Sequence, residues 1–213
     1  MSSYFIFGLQ RSGTNFLQTL IERNFDKTLL NNQKVSWKHS IEDPIKYDKN
    51  LPTIVIHKNP YTWVESVCLR NKVDWQKTQR KYPSEEATTP EFTIGPRKMN
   101  LTNLVLTYKE FHENWLYRED IPSYMFIKYE DLLIPEERVK ILERISEAFG
   151  WARKSNEWII PQAGNVSQSR DYNTDREKYY IAGEPASLTR EHIHEINRVM
   201  EIWPINRMGY RIL

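Results

Sequence analysis

The sequence predicts a single α/β domain, residues 1–213, built on a central parallel β-sheet flanked by helices. Three observations carry this. Apolar runs at 4–7, 53–57 and 124–129 have the length and composition of buried strands. Each is followed by a segment with helical spacing, the alternation that parallel sheets require. The run TIVIH at 53–57 is rich in β-branched residues, which suits a strand covered on both faces.

The elements follow in order. Tyr4 to Phe7 is the first strand and Gly8 breaks it. From Thr14 the pattern turns helical, with Phe16, Leu17, Leu20 and Ile21 on one face. Lys27 to Asn32 reads as a short polar-flanked connection, and Lys34 to His39 (KVSWKH) as the tip of a second strand. Thr53 to His57 is the next strand, ended by Asn59-Pro60. A helix from Tyr61 to about Arg70 turns Trp63, Val64 and Val67 inward. Residues 74–100 hold three prolines and no sustained period, so they read as an irregular substrate-side lid, with simple disorder as the alternative. Leu101 to Arg118 is the clearest helix, with Leu101, Leu104, Val105, Tyr108, Phe111 and Trp115 on one face. Tyr124 to Tyr129 is a strand. Pro135, Glu136 and Glu137 open a helix whose buried face is Val139, Leu142, Ile145 and Phe149, and Gly150 stops it. Residues 151–185 form a second irregular substrate-side stretch. A last helix, Thr189 to about Ile202, has a threonine N-cap and an Ile193, Ile196, Met200, Trp203 stripe.

Composition narrows the function classes. The 30 basic and 28 acidic residues leave a net charge of +2, which gives no argument for nucleic acid as a partner. A single cysteine, Cys68, excludes an intramolecular disulfide and a cysteine-rich metal site. No apolar run approaches the length of a membrane span, and the start of the chain does not read as a secretion signal, so the expected location is the cytoplasm with no membrane partner.

The chemistry is concentrated in YFIFGLQRSGTNFLQTLIERNF, residues 4–25. A strand, a turn with two glycines and a cation, and then a helix form a phosphate cradle. Gly8 and Gly13 let backbone approach oxygens, the helix start presents unpaired N–H groups, and Arg11 adds a forked charge. A nucleoside-triphosphate loop of the G-x-x-x-x-G-K-[ST] kind needs lysine after its second glycine. Here Thr14 follows Gly13, and the cation precedes it.

This stretch resembles the 5′-phosphosulfate loop of sulfotransferases that use 3′-phosphoadenosine 5′-phosphosulfate (PAPS), being similar to G-x-x-[KR]-S-G-T-[TN]-[WFL]. The run IVIHKNPYTWVES, residues 54–66, is similar to the same family's 3′-phosphate motif, with Lys58 and Ser66 at the positions of its arginine and serine. Lysine offers a point charge where arginine offers a fork. Trp37-Lys38-His39 resembles the basic residue and histidine that end the second strand in many cytosolic members. Residues 126–132, FIKYEDL, are similar to a Tyr-Glu-Asp-Leu segment given a structural role. Asp131 is not read as a magnesium ligand, because the loop lysine that acts with such a metal is missing.

The resemblance implies a P-loop-containing, sulfotransferase-like architecture and transfer of a sulfuryl group from PAPS to a hydroxyl or amine acceptor, on a small molecule, glycan or peptide, with no metal. It implies that Arg11, Ser12, Gly13, Thr14 and Asn15 hold the 5′-phosphosulfate and that Lys58 and Ser66 hold the 3′-phosphate. Phe16 either stacks on adenine or packs in the core. His39 is the implied general base, with Glu42 as its nearest rival, and Lys38 faces the transferring group. Arg170, Arg176 and Lys178 are alternatives for completing the 3′-phosphate site. Two other readings stay open: a P-loop phosphotransferase, and a non-catalytic nucleotide-binding module of the same fold.

Overall fold

Four short strands pair in parallel in a computed structural model that describes residues 2–30, 38–39, 48–71, 73, 92–94, 97–116, 118–161, 174–200 and 208–213. They are β1 (Ser2–Phe7), β2 (Lys27–Leu29), β3 (Thr53–His57) and β6 (Tyr124–Lys128), in the order β2-β1-β3-β6. The register sets Ile6 beside Ile54 and Val55 beside Phe126. All five residues of β3 are buried, as expected of an inner strand of a parallel sheet.

Side-chain alternation along the strands sends alternate residues into two cores. Phe5, Phe7 and Val55 face a core shared with α2 (Pro60–Arg70), α3 (Leu101–Leu116) and α6 (Arg190–Met200). Tyr4, Ile6, Ile54, Ile56 and Ile127 face the other, shared with α1 (Thr14–Asn24) and α4 (Pro135–Phe149). The chain is thus α/β, with a four-stranded parallel sheet between helices. Among the described residues no helix is long and apolar enough to cross a membrane.

Local chemistry explains the helix ends. The Asn59 side chain accepts from the Tyr61 and Thr62 N–H groups at 3.0 and 3.4 Å, with Pro60 in the first turn. Asn100 does the same for Asn103 at 2.8 Å. Gly150 closes α4 in the left-handed region at φ 63°. At the start of α6, Thr189 and His192 cap one another: the Thr189 N–H donates to His192 Nδ1 at 3.1 Å, and the His192 N–H to Thr189 Oγ1 at 3.5 Å.

Several expectations are corrected. The second strand is Lys27–Leu29; residues 34–37 lie outside the described residues, and Lys38 and His39 form a turn. The stretch 74–100 contains an antiparallel hairpin of β4 (Phe92–Ile94) and β5 (Arg97–Met99). The stretch 151–185 contains a helix, α5 (Thr174–Ala182). On α4 the buried residues are Arg138, Ile141, Leu142 and Ile145, with Val139 and Phe149 only partly covered. The Arg138 guanidinium donates to the carbonyls of Leu132, Leu133 and Pro161 at 2.5, 2.9 and 3.2 Å, so its charge is spread over acceptors a valine could not use. Trp203 lies outside the described residues.

Candidate functional site

The strand order locates the candidate site. The chain leaves β1 for β2 on one side and later returns to β3 on the other, which makes the carboxyl ends of β1 and β3 the switch point where open α/β sheets bind ligands. Three connections meet there: Gly8 to Gly13 after β1, Lys58-Asn59 after β3, and Tyr129-Glu130 after β6.

The first connection is a tight loop built from its own backbone. A Cβ on Gly8 would lie 2.6 Å from Ile56 Cγ2 and 2.8 Å from the Ile56 carbonyl oxygen, so only glycine lets β1 pass β3 there. The Ser12 N–H and hydroxyl both donate to the Leu9 carbonyl, at 3.1 and 2.6 Å. Ser12 is buried, and its oxygen serves the loop. Arg11 and Gly13 both have left-handed backbone, at φ 70° and 87°. Arg11 is the one described non-glycine residue with positive φ, a conformation that costs energy and is concentrated at working sites. Gly13 caps α1 with no side-chain hydrogen bond, and no acid sits in the first turn. The amide ends of that turn remain the attractive pole for an anion.

The second connection brings a cation to the same place. Lys58 is 1% exposed, with its Nζ 3.7 Å from the Tyr180 ring centroid and 4.8 Å from that of Tyr129. Among the described residues no carboxylate forms an ion pair with it. Burial pushes its ammonium pKa down, Arg11 pushes it further, and Glu130 and Glu65 oppose them. Cation–π contact with a desolvated ammonium is worth about 2 kcal/mol, and an isolated buried charge costs several kcal/mol. Tyr129 and Tyr180 supply ring faces, and the Glu130 and Glu65 carboxylates supply the opposing charge. Arg11 Nε reaches Ser66 Oγ on α2 at 3.4 Å, so the two motifs converge on one spot.

Lys38 and His39 are docked on the loop. The Gly8 N–H donates to the Lys38 carbonyl at 3.0 Å, and His39 Nδ1 lies 2.6 Å from the Gly8 carbonyl. A carbonyl only accepts, so Nδ1 carries the proton and the neutral ring keeps its lone pair on Nε2. Burial lowers the His39 pKa, the Gly8 bond opposes this, and Lys38 adds to it. Lys38 Nζ donates to the Asn15 side-chain oxygen.

Phe16 belongs to the core. It is 7% exposed, packed with Leu17 and Leu20, and the Arg138 guanidinium sits 5.3 Å over its ring. The ring is packed against α4 on that side. Thr14 is buried at the helix start and Asn15 is exposed. Glu42 and Arg170 lie outside the described residues, as does the Arg176 side chain; Lys178 is exposed on α5, with its Nζ 5.0 Å from the Tyr179 ring.

The structure adds residues that sequence reasoning passed over. Tyr129 closes on Gly13, where a Cβ would come within 2.4 Å of its ring. Glu130, 6% exposed, accepts from the Asn59 N–H at 2.9 Å and from the Tyr210 hydroxyl at 2.7 Å. Tyr180 covers Lys58 from α5. The Tyr-Glu segment was visible, but its value depends on β6 lying beside β3, which no local pattern encodes. Comparison of the chain with protein-family models, with curated proteins and with solved structures finds no match in any of the three.

Proposed function

We propose that the chain is a PAPS-dependent sulfotransferase, moving a sulfuryl group to a hydroxyl or amine acceptor. The observation that carries this reading is the convergence of two basic side chains, Arg11 and Lys58, with Ser66 at the carboxyl ends of β1 and β3. The loop fits such a group: its glycines admit oxygens, its helix start is unblocked by acid, and its cation precedes the second glycine. PAPS, when bound, supplies an activated sulfuryl group on a phosphate leaving group.

In this reading Arg11 balances charge on the leaving 5′-phosphate, and the amides of Gly13, Thr14 and Asn15 orient it. Lys58 and Ser66 hold the 3′-phosphate. His39 takes the acceptor's proton at Nε2 as the acceptor oxygen or nitrogen bonds to sulfur and the bond from sulfur to the leaving oxygen breaks. Lys38 adds positive charge beside the transferring oxygens. The contribution of the protein is mostly positioning and charge stabilisation.

Thermal shift decides between this and a phosphotransferase. A ligand that binds only the native state raises apparent stability. Adenosine 3′,5′-bisphosphate is expected to raise Tm more than AMP, and ATP with magnesium less than either. Stabilisation by ATP with magnesium alone would assign the loop to phosphoryl transfer. Tight bisphosphate binding without turnover of PAPS over an acceptor library would leave a binding module.

A further inference from the structure

We infer that Tyr210, in the C-terminal segment, is a positioning residue for the Lys58 ammonium, acting through the Glu130 carboxylate on the Lys58–Asn59 peptide. The Lys58–Asn59 peptide lies between the end of β3 and the start of α2, and buried side chains hold both of its polar atoms. The Tyr108 hydroxyl donates to the Lys58 carbonyl at 2.7 Å, and the Asn59 N–H donates to Glu130 Oε1 at 2.9 Å. The plane of that peptide sets the direction in which the Lys58 side chain leaves the strand. Glu130 is thus the anchor of a cation as well as its nearest opposing charge.

Glu130 is in turn held by the C-terminal segment. The Tyr210 hydroxyl donates to Oε2 at 2.7 Å, which leaves each carboxylate oxygen with a donor. The Tyr210 ring rests against His57 with centroids 5.4 Å apart, and Lys128 Nζ lies 5.2 Å over it while donating to the Gly209 carbonyl at 3.1 Å. Further on, the Leu213 N–H donates to the Tyr61 hydroxyl at 3.0 Å, and Asn197 Nδ2 donates to the Leu213 carbonyl at 2.7 Å. The segment is therefore tied to β6, α2 and α6, and Tyr210 links it to the Lys58 site through Glu130.

The charge argument points the same way. Burial favours the neutral acid at Glu130, and the Tyr210 hydroxyl is the foremost of the bonds that favour the carboxylate. An ionised Glu130 favours a protonated Lys58, against burial and against Arg11; Glu65 assists from α2, and Tyr129 and Tyr180 supply ring faces. Removing the Tyr210 hydroxyl should weaken the carboxylate and, with it, the ammonium.

The primary test does not depend on any nucleotide. In full-length protein labelled on lysine side chains, the Lys58 signal is assigned with a Lys58→Gln variant and followed by NMR against pH. Tyr210→Phe keeps the ring packing and should move the Lys58 midpoint downward; Glu130→Gln should move it further, and should serve if Tyr210→Phe folds poorly. An unchanged midpoint in a folded Tyr210→Phe, or in a folded Glu130→Gln, would overturn the assignment. A binding arm rests on the sulfotransferase reading: adenosine 3′,5′-bisphosphate affinity should fall in Tyr210→Phe, with the loss growing as pH rises and Lys58 deprotonates. A midpoint that moves in a protein showing no affinity for the bisphosphate in any form would support the positioning role and sink that reading.

Discussion

Arg11 Nε lies 3.4 Å from Ser66 Oγ, a contact across 55 residues of sequence that joins the loop after β1 to the helix after β3. Neither residue is drawn there by the core. Arg11 holds left-handed backbone to make the contact, and Ser66 is buried on a helix whose neighbouring residues Trp63, Val64 and Val67 pack inward. With the buried Lys58 close enough to be depressed by Arg11, the arrangement gathers positive charge where a stability-optimised protein would disperse it. Strain and like charge at one place, set on a rigid parallel sheet, are what a preorganised anion site needs.

The tightness of that loop is measurable. Gly13→Ala places a methyl in left-handed backbone, costing about 1–2 kcal/mol, and 2.4 Å from the Tyr129 ring, where overpacking costs about 1–3 kcal/mol more. Denaturant unfolding should show both costs. Made in a Tyr129→Ala background, the same change should show only the backbone part. Equal costs in the two backgrounds would mean that Tyr129 does not close on the loop.

Acid should destabilise the protein through its interior imidazoles. His57 and His112 are buried beside one another, with ring centroids 6.2 Å apart, and burial lowers both, His112 to about 3. A histidine lowered on folding binds fewer protons in the native state than in the unfolded one between its two values. Stability then rises with pH across that window and is lost as pH falls below the ordinary 6.5. Each such group adds up to about 1.4 kcal/mol per pH unit. His112→Asn, which can still donate to the Tyr108 carbonyl, should remove one group's share of the slope in Tm against pH. An unchanged slope would show that His112 already carries its proton in the native state.

Much of this was legible in the sequence, for a physical reason. The alternation of apolar runs with helical periods is local, so β1, β3, β6, α1, α3 and α4 could be read directly, as could the glycine and arginine pattern of the loop. What escaped was set by tertiary contact. The hairpin at 92–99 and helix α5 sit in stretches whose composition reads as irregular. Arg138 was not singled out, because its burial depends on carbonyl acceptors at Leu132, Leu133 and Pro161 that helical spacing does not encode. Phe16 packs in the core under Arg138 of α4, a contact that no local pattern encodes. Tyr180 and Tyr210 reach the site from the far end of the chain, where no spacing rule connects them to Lys58.

The last prediction concerns the proposed base. His39 Nδ1–H holds the Gly8 carbonyl at 2.6 Å, and in the proposed function its Nε2 takes the acceptor's proton. Asparagine can copy the first and not the second. His39→Asn should therefore keep its affinity for adenosine 3′,5′-bisphosphate and lose about 10²–10⁴-fold in kcat, the range of a positioned base. His39→Ala should lose the same in kcat and some affinity as well, because the loop is released. Burial lowers the His39 pKa, so the ring stays neutral to below its ordinary 6.5; on the proposed function, kcat/KM of the unsubstituted protein should hold through pH 6.5 and fall only at a lower pH. Near-normal turnover by His39→Asn with any acceptor would remove His39 from proton transfer, and an acid limb that persists in that variant would place the titrating group elsewhere.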